Sequence, residues 1–347
     1  MKIIFDDIIY SLQKSGGISV YWRILEDFLP AEKRLVYKNR KFNIFYTERD
    51  GEVEVKRSLL FERYKSVFLK SIMENNTKFI FHSSYYRFCK NKEAVNITTI
   101  HDFTYELFRS DLKGLFHKIQ KKNTVMHSDG VICISENTKR DLYRYYPNYK
   151  GKVQVIYHGY DKTLYNFTDK KLENRSNNVL FVGSRALYKG FELTVRLISE
   201  IPQLNLKIIG GGDLTESEIQ LMEKLIPNQY EKLGFISNGD LAKLYNESFA
   251  LFYPSEYEGF GFPVIEAQAC GCPVICQKKS SIPEVSGDKC IYIDSANFDE
   301  SINAIKRLFA SDYYSLLQKE GLENVKRFSW EKCIKETMEF YNSVLNL

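Results

Sequence analysis

The feature that most constrains this chain is a repeated alternation of short apolar, β-branched runs with helix-length amphipathic stretches. Nine runs read as strands: Lys2–Phe5, Lys78–Phe81, Asn96–Ile100, Gly130–Ile134, Val153–Ile156, Asn178–Val182, Leu206–Ile209, Ala250–Phe252 and Pro273–Ile275. Most precede Gly, Ser or Asp and then a helical period, the pattern of an α/β chain whose parallel strands are covered by helices on both faces. Nine units are too many for one common open sheet, so two doubly wound, Rossmann-like parallel-sheet domains facing a deep cleft are expected. The expected hinge lies at His158–Asn178, because Asp161–Asn178 is polar and weakly periodic and the rhythm restarts at Val179-Leu-Phe-Val-Gly183. This sets domains at 1–165 and 166–330, with ligands at the C-terminal strand ends.

Other classes are excluded by what the chain lacks. With 347 residues it can bury two cores, and no stretch nears the roughly 18 consecutive apolar residues of a membrane span. The start, Met-Lys-Ile-Ile-Phe-Asp-Asp, carries acids before an export signal could develop, so a cytoplasmic protein is expected. Seven cysteines form no CxxC pair or zinc spacing and read as buried, reduced thiols. The net charge of +5 hides an asymmetry: residues 1–160 hold 28 Lys+Arg against 18 Asp+Glu, and the remainder 21 against 26. A basic half suits a phosphate-bearing substrate or an anionic membrane; its scattered charges equally suit a solvated face, and no nucleic acid is implied.

The most informative stretch is Tyr253-Pro-Ser-Glu-Tyr-Glu-Gly-Phe-Gly-Phe-Pro-Val-Ile-Glu-Ala-Gln-Ala-Cys-Gly-Cys-Pro-Val-Ile275. It reads as strand, glycine loop, helix and strand, with Pro263 in the first helical turn. Gly259 and Gly261, around Phe260, let backbone approach a ligand, and the helix terminus favours a phosphate. Glu258 and Glu266 flank that point as acceptors for sugar and ribose hydroxyls. Two solvated glutamates on a plain strand-turn-helix remain the alternative on these residues alone.

This Glu258-x7-Glu266 segment resembles the signature of retaining, sugar-nucleotide-dependent glycosyltransferases of family 4, of the bacterial O-antigen and capsule type. The resemblance continues through Ser281-Ile-Pro-Glu-Val285 and Arg327-Phe-Ser-Trp330. It implies the GT-B fold, with a last helix, 331–347, crossing back to the first, acceptor-binding domain, while the second binds the nucleotide-sugar donor. In Val182-Gly-Ser-Arg-Ala-Leu-Tyr-Lys-Gly190 it implies that Arg185 and Lys189 hold the donor diphosphate. Gly16 and Gly17 match the family's glycine loop, and His101 its histidine near the transferred sugar, with Asp102 holding the loop or orienting the ring. Val155-Ile-Tyr-His-Gly-Tyr-Asp161 matches an interdomain segment, with His158 and Tyr160 expected to line the cleft. Phe235 lies where the family places the nucleotide base, and Gly210-Gly-Gly212 reads only as a turn.

The implied reaction moves a hexose from a UDP- or GDP-linked donor to a saccharide or polyprenyl-diphosphate-linked acceptor, in polysaccharide or lipopolysaccharide biosynthesis. Front-face substitution is implied, with Arg185, Lys189 and the helix stabilising the leaving diphosphate; no carboxylate nucleophile is evident. No Asp-x-Asp triad occurs, so no metal and no cofactor are expected. A nonhydrolysing sugar-nucleotide epimerase and a noncatalytic nucleotide-sugar-binding protein are the alternatives; a nucleotide-dependent oxidoreductase lacks its early fingerprint. Two basic amphipathic segments suit peripheral attachment to the inner face of an anionic membrane. They are Arg57–Ile72, with Leu60, Tyr64, Val67 and Phe68 on one helical face and Arg57, Arg63, Lys65 and Lys70 elsewhere, and Leu112–Lys122.

Overall fold

The computed structural model describes residues 1–55, 62–69, 77–168 and 175–346. They divide into two compact units, Met1–Gly159 with Ser329–Leu347, and Tyr160–Phe328.

The first unit holds seven parallel strands: β1 (Ile3–Asp6), β2 (Lys33–Tyr37), β3 (Glu52–Val55), β4 (Phe79–Ser83), β5 (Ala94–Ile100), β6 (Gly130–Cys133) and β7 (Lys152–Val155). Their order is β3-β2-β1-β4-β5-β6-β7. The chain moves outward from β1 to β3 and re-enters beside β1 as β4, so the direction of winding reverses between β1 and β4. Loops diverge at such a point and leave a crevice beyond the strand ends. The second unit repeats the plan with β8 (Asn178–Val182), β9 (Asn205–Ile209), β10 (Tyr230–Gly234), β11 (Ala250–Tyr253), β12 (Val274–Gln277) and β13 (Ile291–Ile293), in the order β10-β9-β8-β11-β12-β13. Its reversal lies between β8 and β11.

All nine expected strands form, and four more appear: β2, β3, β10 and β13. Three of these are sheet edges. An edge strand has a neighbour on one side only and tolerates charge, which is why Glu-Val-Glu-Val and Tyr-Glu-Lys-Leu-Gly carry no apolar run. In β2, Arg34 is buried because its guanidinium donates to the Asp50 carbonyl at 2.7 Å.

The terminal helix, Trp330–Leu345, packs on the first sheet: Cys333, Phe340, Tyr341 and Val344 share a core with Ile3, Phe5, Ile97 and Ile132. A Cβ on Gly130 would stand 2.8 Å from Phe340 Cζ, so only glycine admits that ring. All seven cysteines are free and buried.

The expected helix over Arg57–Ile72 does not run through the described part of this segment: Glu62 is helical, whereas residues 64–69 are not. Arg57, Leu60 and Lys70 lie outside the described residues. Val67 is extended, bridging Cys89, with its N–H bonded to the Phe88 carbonyl at 2.8 Å and its carbonyl to the Lys90 N–H at 2.8 Å. A β-branched residue offered two strand-type hydrogen bonds gains more there than in an isolated turn. Among the described residues no helix is long and apolar enough to cross a membrane.

Candidate functional site

In the second unit the loops after β8, β9, β11 and β12 converge at the carboxyl ends of the strands. The helix Phe262–Ala269 begins there on Gly261, whose φ of +112° is open to glycine, with Pro263 in its first turn and no side chain capping its amides. The loop before it is pinned from β12. The Glu258 N–H donates to Ser280 Oγ at 2.9 Å, and Ser281 Oγ is within 2.9 Å of the Glu258 and Phe260 carbonyls.

Lys189 reaches this loop because the segment after β8 is tied to it. The Glu256 N–H donates to the Tyr188 carbonyl at 2.7 Å, and a Cβ on Gly190 would lie 2.4 Å from the Pro254 carbonyl oxygen. Lys189 Nζ then donates to Glu258 Oε1 at 2.6 Å, with both side chains largely shielded. Glu266 lies one turn into the helix, half-buried, with the Tyr245 hydroxyl donating to its Oε2 at 3.5 Å. Burial raises its pKa to about 7, an effect limited by hydrogen bonds from the Tyr245 and Tyr165 hydroxyls. Burial pushes Tyr253, beside both glutamates, well above its usual range, and the two carboxylates push it further.

Arg185 is held differently. Its guanidinium donates to Glu218 Oε1 at 2.9 Å and to the carbonyls of Gly210 at 3.2 Å and Asp213 at 2.7 Å. The glycine triplet read as a simple turn is the socket for this group. All three glycines have positive φ, and a Cβ on Gly211 would lie 2.5 Å from Arg185 Nη1. Phe235 follows β10 and is 81% exposed; it does not pack in the sheet.

The first unit gathers a second set at its own reversal. Gly16 (φ +155°) precedes the helix Gly17–Phe28, whose Tyr21 ring lies 5.4 Å from His101 at the end of β5. Burial holds the His101 pKa down at about 4, with Asp102 opposing and Lys121 adding to the effect, so the ring is neutral at pH 7. Asp102 holds the loop, accepting from the Thr104 N–H at 2.9 Å. His158, expected to line a cleft, is instead 1% exposed, against Tyr21 at 4.7 Å and Trp330 at 5.6 Å. A Cβ on the next residue, Gly159, would strike Trp330 N at 2.1 Å, so the peptide passes where no larger residue fits.

The residues that sequence reasoning missed are Tyr165, Tyr245, Ser280, Glu218 and the Gly210–Gly212 socket. Tyr165 and Tyr245 lie 101 and 21 positions from Glu266, and no local spacing links them to it. The left-handed demand of three successive glycines was the one available signal. Among the described residues no three His, Cys, Asp or Glu side chains are gathered as a metal-holding cluster.

Comparison with known proteins agrees with this fold. Residues 165–329 match the family model "Glycosyl transferases group 1" and residues 65–164 match "Glycosyltransferase Family 4". A glycosyltransferase of Methanocaldococcus jannaschii is 29% identical over 287 residues, covering 79% of this chain and 78% of the relative. The O-antigen chain mannosyltransferase B of Escherichia coli is 38% identical over 110 residues, 31% of this chain and 29% of that one. Among solved structures, sucrose-phosphate synthase from Thermosynechococcus elongatus aligns with a TM-score of 0.75 at 19% identity, covering 100% of this chain and 99% of the other. Anabaena HepE in complex with UDP aligns at 0.72 and 15% identity, covering 99% and 100%. With both matched segments adjoining over 65–329 and both sheets wound alike, the chain belongs to the family 4 type of glycosyltransferases of the GT-B fold.

Proposed function

We propose that this glycosyltransferase moves a hexose, with retention at the anomeric carbon, from a UDP- or GDP-linked donor to a saccharide or lipid-linked saccharide acceptor in surface polysaccharide assembly. The observation that carries this reading is the placement of Lys189, Glu258 and Glu266 around the uncapped N-terminus of the Phe262–Ala269 helix, at the winding reversal between β8 and β11. A nucleoside diphosphate matches that array part by part. The helix amides and Lys189 face the phosphates, Glu266 accepts from the ribose diol, and Glu258 accepts from sugar hydroxyls. Phe235 offers its exposed ring to the base. Arg185, clamped in its socket, supplies a fixed positive charge, and Lys189 a movable one.

His101, neutral and against Tyr21 of the helix that begins at Gly17, takes the acceptor side of the transfer. A retaining path without a carboxylate nucleophile then runs on the donor face. The acceptor hydroxyl attacks the anomeric carbon as the bond to the diphosphate oxygen breaks, and the departing oxygen takes the hydroxyl proton. With two cations and a helix terminus on the diphosphate, the reaction proceeds without a divalent metal. The UDP complex of HepE and the mannosyltransferase relative support the donor class and the polysaccharide setting.

The test is calorimetric titration with UDP and GDP in EDTA, on wild type and Glu266→Ala. One diphosphate is expected to bind, and to bind about 1–3 kcal/mol more weakly to the variant, which leaves a hydroxyl pair unmet. Binding of neither, or equal binding by both proteins, would overturn the assignment.

A further inference from the structure

The helix Leu112–Met126 in the first unit is inside out. A surface helix ordinarily turns its apolar stripe inward and its polar side chains to water. Here Gly114, His117, Gln120, Lys121 and Thr124 are buried, alongside only one apolar residue, Val125. Outward stand Leu112, Leu115, Phe116, Ile119 and Met126, exposed by 74%, 51%, 60%, 57% and 42%. Their spacing of 3, 4 and 7 places them on one stripe.

Specific bonds hold the polar face inward. Lys121 Nζ donates to Glu106 Oε2 at 2.7 Å and to the Asp102 carbonyl at 2.9 Å, and lies 4.4 Å from the Phe103 ring centroid. Gln120 Nε2 donates to the Tyr86 carbonyl at 2.9 Å, and His117 stacks on Tyr105 at 3.8 Å. Rolling the helix to hide its stripe would strand Lys121 and Gln120 without these partners.

The exposed stripe continues into a larger apolar area. Leu107 and Phe108, just upstream, are 37% and 41% exposed. Phe116 and Ile119 also form one wall of a cavity of about 530 Å³ whose other wall includes Tyr64, Tyr86 and Phe88. Exposed apolar side chains scattered singly need no explanation, but a contiguous set does. The flanks are basic: by helical position Lys113 lies on one side of the stripe and Lys118 and Lys122 on the other. The nearby acids in this stretch are engaged, Glu106 by Lys121 and Asp111 by Arg109 at 2.9 Å.

We propose that this face docks on an anionic lipid bilayer. The stripe enters the acyl boundary, the three lysines lie at phosphate level, and the cavity accepts a chain end. A second copy of the protein is the poorer occupant, because an isologous contact through the stripe brings like-charged lysine flanks together. This surface shares no residue with the donor site, and the proposal does not depend on the reading given to that site.

Flotation with vesicles of phosphatidylcholine, alone or with about one-third phosphatidylglycerol, tests it. Wild type floats with the anionic vesicles and is released by salt. The double variant Phe116→Ser, Ile119→Ser changes only side chains more than half exposed, and binds about tenfold or more weakly. Replacing Lys113, Lys118 and Lys122 by Gln weakens binding to anionic vesicles by about fivefold per lysine, and leaves neutral vesicles unaffected. Circular dichroism and nucleotide affinity, measured on each variant, separate loss of the surface from loss of the fold or of the donor site. No flotation of wild type overturns the proposal, as does equal flotation of the Ser variant. So does a concentration-dependent dimer that the Ser substitutions abolish, which would assign the face to a second copy.

Discussion

Replacing Glu266 by Gln tests whether its carboxylate, in the proposed donor site, is held out of water by the surrounding protein. Burial raises its pKa from an ordinary 4.5 to about 7. The folded protein therefore holds this proton more tightly than the unfolded chain. The resulting stability is fully present below pH 4.5 and is lost as the pH rises through about 7. Between pH 5 and pH 8 the loss from this one group is about 2.5 kcal/mol. Four histidines act in the opposite sense. His82, His101 and His117 are lowered to about 3, 4 and 3, and His158 well below its ordinary value, all chiefly by burial, so their contribution is present above the ordinary value of 6.5 and lost as the pH falls. Comparing wild type with Glu266→Gln at each pH cancels them. Urea unfolding followed by far-ultraviolet circular dichroism is the assay, since Trp22 and Trp330 both belong to the first unit and do not report on the second. The variant is expected to gain on wild type by about 2.5 kcal/mol between pH 5 and pH 8. A stability difference that stays constant across that range refutes the claim that the carboxylate is desolvated.

Other outcomes follow from single contacts. Gly211→Ala sets a Cβ 2.5 Å from Arg185 Nη1 and 2.8 Å from the Gly183 carbonyl, whereas Gly212→Ala, at nearly the same φ, meets nothing within 4 Å. Both variants bear about 1 kcal/mol of left-handed strain, but only Gly211→Ala should also weaken nucleoside diphosphate binding in calorimetry. Phe340→Ala removes a fully buried ring that joins the terminal helix to the first sheet. It should lower the stability of that unit by about 3–5 kcal/mol, read from tryptophan fluorescence. His101→Asn should reduce transfer by roughly 10²–10⁴-fold while leaving nucleotide affinity intact; parallel losses of affinity and turnover would place this residue on the donor side instead.

Several features of the protein were legible in its sequence because they depend on neighbours along the chain. A short apolar, β-branched run makes a strand wherever it packs, and all nine such runs did so. The segment from Glu258 to Glu266 was equally readable, since a strand, a glycine loop and a proline-started helix carry their geometry within one contiguous stretch. Strands without an apolar run, such as β3 and β10, were illegible because an edge demands little burial.

The rest of the site depends on strand order. Tyr165 and Tyr245 reach Glu266, Ser281 pins the Glu258 loop, and Gly211 cups Arg185 only because β8 lies between β9 and β11, with β12 beyond. The helix Leu112–Met126 marks the same divide. Its periodicity specifies an apolar stripe and a polar one, whereas the inward direction of the polar stripe was decided by Glu106, the Asp102 carbonyl and the Tyr86 carbonyl. Local sequence sets which side chains share a face; which face is turned from water depends on partners that only the tertiary structure brings near.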